Sequence, residues 1–447
     1  MIRPGTLRRL ALLFCLAAVP ASAARYLLEL KTGGDLPTIM ARYGLMLVRP
    51  LEHPGGNVYL VSTVDPVPTG LAKRVSADPK VSEFEAESAV HSGEGSPAVP
   101  SVPSIAALAT AIANRTPVPF YGATVRGAYV QQWAATLINL PAVQRTYASG
   151  GGIVAVIDTG VDPTHPALKN ALVPGYDFTR DQPGFASELA DLNQSTVAIL
   201  DQSTVAILDG KKYPAILNQS TVAILDQSTV AILDGNKLPQ DFGHGTMVSG
   251  LIHLVAPTAR IMPLKAFKSD GSANLSDIVR AIYFAVNNGA RVINMSFSSP
   301  TDSPSIVTAM QYAWSHNVIC VASGGNDGRR LTVYPAADRG VIGVGSTNAS
   351  DRRSSFSNYG APSVRMAAPG EALITTYPGN NYAGVWGTSF STALTSGAVA
   401  LLAQLDYRVR PEKVSDALEH GHRLDIDGMG DSRLDVLSTI LYYLTQH

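Results

Sequence analysis

The stretch Gly152-Ile153-Val154-Ala155-Val156-Ile157-Asp158-Thr159-Gly160 decides the fold. From Gly152 to Ile157 the run is apolar without alternation, as a strand covered on both faces requires; a strand with one wet face would read apolar, polar, apolar. It ends on a carboxylate and a turn-forming Gly, so Asp158 is expected at the carboxyl end of a buried parallel strand. Similar runs recur at residues 260–266, 291–295, 318–322 and 341–344, each separated from the next by a stretch of helical character. Strand, helix, strand in repetition predicts an α/β fold: a doubly wound, mostly parallel sheet with flanking helices.

Two more segments carry chemistry, Gly243-His244-Gly245-Thr246 and Gly387-Thr388-Ser389-Phe390-Ser391. A Ser nucleophile needs a proton acceptor beside it, and the acceptor needs a group that fixes its tautomer. Ser389, His244 and Asp158 are the residue types that fill these roles, with imidazole suited to act as base and then acid near neutral pH. Each segment alone has an ordinary explanation: an N-cap for Ser389, a core histidine for His244, a strand-end turn for Asp158. All three, in the order Asp, His, Ser and with these flanks, resemble the subtilisin-like serine peptidases (subtilases, peptidase family S8). The resemblance covers about residues 129–437 apart from an insert, and more loosely residues 25–91.

That resemblance implies a secreted serine endopeptidase that forms an acyl-enzyme on Ser389, with His244 as general base and Asp158 as its orienting carboxylate. Ala322-Ser323-Gly324-Gly325-Asn326-Asp327-Gly328 resembles the family's oxyanion-hole segment, which implies that Asn326 directs its side-chain amide at the developing oxyanion. Asn294-Met295-Ser296-Phe297-Ser298 resembles the strand lining the specificity pocket, and residues 268–273 the opposite edge. Ser296, Phe297 and Ser298 on one side, with Gly271, Ser272 and Ala273 on the other, would then receive an extended peptide as an added strand. His165 matches a recurrent structural position after the Asp strand. Where the family commonly continues after the nucleophile with a proline and a histidine, this chain has Ala393 and Leu394, from which a change in packing is expected.

No organic cofactor is implied. The calcium loop common after the His segment is missing, because residues 250–257 run on directly, so calcium is not expected there. Asp425, Asp427, Asp431 and Asp435 can supply oxygen ligands, but their spacing is not that of an EF-hand loop, and no metal ligand is assigned. The formal net charge of −1 carries no basic excess of the kind a nucleic-acid surface shows.

Arg3, Arg8 and Arg9, the apolar run 10–19 and Pro20-Ala21-Ser22-Ala23 have the order of a secretory signal, residues 1–23. Its removal predicts an extracellular or periplasmic protein without a membrane partner. Cys320 is then the one remaining cysteine and, in a β-rich apolar run, reads as a small hydrophobe. Residues 24–91 read as a small α/β module, with strands at 26–30, 57–61 and 81–87 and helices at 36–43 and 70–76. The alternation at 81–87 resembles the end of an inhibitory propeptide, so the chain's own module is expected as an intramolecular inhibitor beside polypeptide substrates. Residues 92–128, rich in Gly, Pro, Ser and Ala, read as a linker holding the maturation bond. The catalytic domain is expected at 129–447, opening with an amphipathic helix over 129–140.

Asn193-Gln194-Ser195-Thr196-Val197-Ala198-Ile199-Leu200 recurs almost unchanged from Asp201, Asn218 and Asp226, inside an insert at about 190–238 between the Asp and His segments. Its Thr-Val-Ala-Ile-Leu runs predict short strands that can stack or self-associate. A different class of function, a catalytically silent binding or structural protein working through these repeats, is the alternative. Peptidases with Glu in place of His are disfavoured by the Gly-His-Gly-Thr frame.

Overall fold

The computed structural model describes residues 23–64, 66–92, 114–192, 223–224, 239 and 241–446. The chain forms two compact units, Met1–Glu87 and Ser88–His447. The signal-like segment up to residue 22, most of the linker and nearly all of the repeat insert lie outside the described residues.

In the first unit an antiparallel sheet has the order Leu45–Pro50, Val58–Thr63, Arg25–Leu30, Val81–Ala86, with helices Leu36–Tyr43 and Leu71–Ser76. Leu28, Leu30, Ile39, Val61 and Val75 form its core, and Tyr26 stacks on Phe84 with ring centroids 4.6 Å apart. The Leu45–Pro50 strand was not legible in the sequence. It is a sheet edge carrying Pro50, its residues after Leu45 are only partly buried, and it therefore shows neither clean alternation nor a fully apolar run.

Among the described residues of the second unit, ten strands form one sheet in the order Gln182–Gly184, Gly175–Asp177, Arg260–Lys265, Ile153–Asp158, Val292–Met295, Ile319–Ser323, Val341–Thr347, Met366–Pro369, Ser432–Arg433, His422–Arg423. All neighbours are parallel except the two outermost pairs. The Ile153–Asp158 strand lies between a strand that follows it on one side and the rest of the series on the other. Strand order thus reverses there, and the carboxyl ends of strands at such a point are where an open α/β sheet leaves a crevice.

Two helices are buried almost throughout: all twelve residues of His244–Val255, and Thr388–Leu405 from Thr388 to Ala403. They pack on each other, and the second also lies against the strands Val292–Met295 to Met366–Pro369. Helices buried on every side are core elements, and these two place His244 and Ser389 at their first turns. Ala393 and Leu394 sit buried on the second helix, inside this core.

The expected helix over 129–140 is instead three short helices, Gly127–Val130, Trp133–Leu137 and Leu140–Thr146. Gln132 breaks the first from the second by turning its buried amide onto the Tyr129 carbonyl at 2.8 Å and the Ile374 backbone at 2.7 and 3.0 Å. Asn139, left-handed at φ 59°, and the following Pro141 break the second from the third. The end of the segment read as linker folds as a hairpin, Pro117–Phe120 with Ala123–Arg126, whose Phe120 and Val125 enter the main core.

Candidate active site

Asp158 ends its strand one residue before the turn, and its carboxylate holds the His244 ring. His244 Nδ1 lies 2.9 Å from Oδ1 and 3.0 Å from Oδ2 of Asp158, and both side chains are buried. The two segments meet closely because Gly245 lacks a side chain: a Cβ there would stand 2.0 Å from the Gly160 carbonyl oxygen.

Behind this pair lies a carboxylate the sequence did not reveal. Glu188, fully buried, accepts from Thr159 Oγ1 at 3.0 Å, from the Gly243 N–H at 3.0 Å and from Thr246 Oγ1. Thr159 Oγ1 also accepts from the Gly245 N–H at 3.0 Å, so Glu188 clamps the residues following Asp158 to those flanking His244. Burial pushes the Glu188 carboxyl up to about 7, against the bonds from Thr246 and Thr159 and the charge of Lys265. Lys265 is itself buried, its ammonium donating to the Thr159 and Phe267 carbonyls at 2.7 and 2.8 Å and to Asp191 Oδ2 at 2.7 Å. Neither Glu188 nor Asp191 carried a signal, since both stand in the short 3-10 helix Glu188–Asp191 just before the repeats, where an acid is ordinarily solvated.

Ser389 lies in the first turn of its helix, against Ser296 at the end of the Val292–Met295 strand. Its hydroxyl donates to the Ser296 carbonyl at 3.2 Å, and Ser296 Oγ donates to the Ser389 carbonyl at 2.9 Å. Asn294 Nδ2 donates to Ser296 Oγ at 2.9 Å and its Oδ1 accepts from Ser396 at 2.9 Å, which ties the strand end to the helix. The ring of Phe390, next to Ser389, lies 5.7 Å from the His244 ring. Asn326 is buried beside them. Its Oδ1 accepts from both the N–H and the hydroxyl of Thr388 at 2.9 Å, which fixes the amide plane and turns its NH2 away from Thr388.

One of the two edges read for substrate is paired with a strand of the chain itself, and the other meets the residue that follows that strand. Ala89–His91 pairs antiparallel with Ser272–Asn274, and Leu275 N–H donates to the Ser88 carbonyl at 3.0 Å. Ser92 then bridges both sides, its N–H donating to the Gly271 carbonyl at 2.9 Å and its carbonyl accepting from the Ser298 N–H at 3.1 Å. Ser92, Asp158, Asp241, His244, Ser296 and Phe297 line one small cavity.

Other candidates have other partners. His165 is buried, with Nε2 3.0 Å from the Asn381 carbonyl and Nδ1 accepting from Ala167 N–H at 3.2 Å; burial lowers its pKa. Burial pushes the Cys320 thiol up to about 12, which leaves it an inert core group. Asp427 pairs with Arg330 at 2.6 Å, and Asp435 accepts from Asn139 at 2.7 Å. Among the described residues no group of three or more His, Cys, Asp or Glu side chains is placed to hold a metal ion.

The profile of the Subtilase family, peptidase S8, matches residues 149–433. A thermophilic serine proteinase from Bacillus sp. (strain AK1) is 34% identical over 268 residues, 58% of this chain, and the match spans about half (53%) of that relative's length. Subtilisin BL from Lederbergia lenta is 31% identical over 286 residues, covering 61% of this chain and 84% of that protein. Among solved structures, fervidolysin from Fervidobacterium pennivorans, described as a keratinolytic enzyme related to subtilisin, superposes with a TM-score of 0.67 at 21% identity, covering 94% of this chain and 61% of that one. A parallel sheet whose strand order reverses at Asp158, the His244–Asp158 pair and a profile match over more than half of the sequence agree: the chain belongs to the subtilase family of serine endopeptidases.

Proposed function

We propose that this protein is an exported endopeptidase that hydrolyses peptide bonds through an acyl-enzyme on Ser389. The observation that carries the reading is the grip of Asp158 on His244 Nδ1 at 2.9 and 3.0 Å. A proton held on Nδ1 makes Nε2 the basic nitrogen, and the buried carboxylate stabilises the imidazolium that forms. In the reaction the Ser389 hydroxyl exchanges the Ser296 carbonyl for His244, gives up its proton and attacks the scissile carbonyl. The Asn326 amide and the Ser389 backbone N–H receive the developing oxyanion, a role supported by the way Thr388 fixes the Asn326 plane. His244 then protonates the leaving amine, and water, deprotonated by the same imidazole, releases the acyl group. No step calls on an organic cofactor or a metal.

The pairing of Ala89–His91 with Ser272–Asn274, and the bonds of Ser92 to Gly271 and Ser298, support reading Ser296, Phe297, Ser298, Gly271, Ser272 and Ala273 as the groove for an extended polypeptide. It also supports an intramolecular inhibitor, the small module ahead of Ser88, released by cleavage in the segment that follows. Export is supported by the order of charge, apolar run and small residues up to Ala23. Among the described residues no helix is long and apolar enough to cross a membrane.

Ser389→Ala is expected to abolish peptide hydrolysis and to leave a purified species that retains the module. Full maturation of that variant without added protease would contradict self-processing. Retained hydrolysis would contradict the role of Ser389.

A further inference from the structure

One buried carboxylate beside the catalytic pair takes no part in the scheme above. Asp241 lies three residues before His244 and lines the same cavity as Asp158 and His244. Its backbone is anchored, with N–H donating to the Ser269 carbonyl at 2.8 Å and its carbonyl accepting from the His244 N–H at 3.1 Å. Its side chain faces the groove, where Asp241 Oδ2 accepts from the Ser92 hydroxyl at 2.6 Å. Gly271 makes the room: a Cβ there would stand 2.1 Å from Asp241 Oδ2 and 2.8 Å from Ser92 Oγ, and its φ of +81° suits glycine. The same Gly271 carbonyl receives the Ser92 N–H. Backbone and side chain of one residue are thus read together, by a glycine edge and a carboxylate.

We infer that Asp241 is a specificity-determining residue of the peptide groove, selecting a hydroxylated or cationic side chain at the position Ser92 occupies and disfavouring an acidic one. This rests on the groove reading given above. A carboxylate accepting from a hydroxyl or an ammonium makes a charge-assisted hydrogen bond, whereas a second carboxylate leaves both buried and unpaired. The surroundings favour such a guest. Burial raises the Asp241 carboxyl above the ordinary range, with the bond from Ser92 and the charge of His244 opposing and Asp158 and Asp270 adding. A donor brought by the substrate offsets that desolvation, as the Ser92 hydroxyl does here.

The test is a set of peptides with the sequence of residues 88–96 in which the position of Ser92 is Ser, Lys, Leu or Glu, assayed by kcat/KM with the mature enzyme. Ser and Lys are expected to exceed Glu by about tenfold or more, the ratio that roughly 1.4 kcal/mol of charge-assisted bonding gives. In Asp241→Asn the Lys-to-Glu ratio is expected to fall to within about twofold. Equal rates for the four peptides, or an unchanged ratio in Asp241→Asn, overturn the inference. Should Asp241→Asn not fold, the wild-type series decides alone. Failure to cleave any peptide or a small ester overturns instead the endopeptidase reading on which it rests.

Discussion

Asn326 is the residue whose local sequence says least and whose surroundings say most. An Asn beside glycines is ordinarily a turn residue, yet here its side-chain oxygen is occupied by two donors of Thr388. A turn residue has no need of that orientation, whereas an oxyanion donor does. Asn326→Ala is therefore expected to fold, to keep KM within a few-fold and to lower kcat by about 10²–10³, a size carried over from the side-chain donor of a subtilisin. Steady-state kinetics on a chromogenic peptide checks this, and an unchanged kcat would make Asn326 a turn residue only. Asp158, His244 and Ser389 are legible in the sequence as candidates because each sits in a short, glycine-flanked frame. The sequence hid Glu188 and Asp241, because a carboxylate's burial depends on what other segments bring to it. Thr159, Gly243 and Thr246 surround Glu188 from as far away as 58 positions.

At the scale of elements, what was legible follows from burial on both sides. The strands ending at Asp158, Lys265, Met295 and Ser323 are apolar throughout or nearly so, and their runs announced them. The single helix expected over 129–140 is broken, because helical periodicity in a sequence survives a break made by a side chain such as Gln132. The His244 helix carries a further consequence. His253 lies near its end, buried edge-on to Phe120 at 5.5 Å, and burial, with His165 nearby, lowers its pKa from 6.5 to about 4. In the unfolded chain it takes a proton near 6.5, in the folded chain only near 4, so the unfolded state gains protons first as pH falls. The stability it confers is present above pH 6.5 and is lost on the way to pH 4, to the extent of about 3 kcal/mol. His253→Met is expected to flatten that part of the profile, read as the denaturant midpoint against pH. An equally steep loss in the variant would assign it elsewhere.

The whole molecule joins a catalytic sheet to an insert that the family resemblance does not include. Ala223–Ile224 within it pairs antiparallel with Ala383 and Gly384, extending the small sheet formed by Leu373–Tyr377 and Asn381–Val385. The chain up to Leu192 is bound into the candidate site, since Asp191 holds Lys265 and Glu188 holds the His244 segment. A replacement should therefore begin after Leu192. Exchanging residues 193–238 for a short Gly/Ser linker is expected to preserve hydrolysis of a small peptide ester and to change digestion of folded proteins or self-association, measured by ester assay, casein digestion and sedimentation. A folded variant that cleaves no ester would place the repeats in the catalytic machinery. The central claim is that Ser389 is a nucleophile activated by His244 and Asp158. Labelling of the mature protein with a fluorophosphonate, with the adduct mapped by mass spectrometry, tests it most directly. One adduct, on Ser389, lost in His244→Ala, is the expected result; a folded protein that takes no label, or takes it on another residue, would contradict the account.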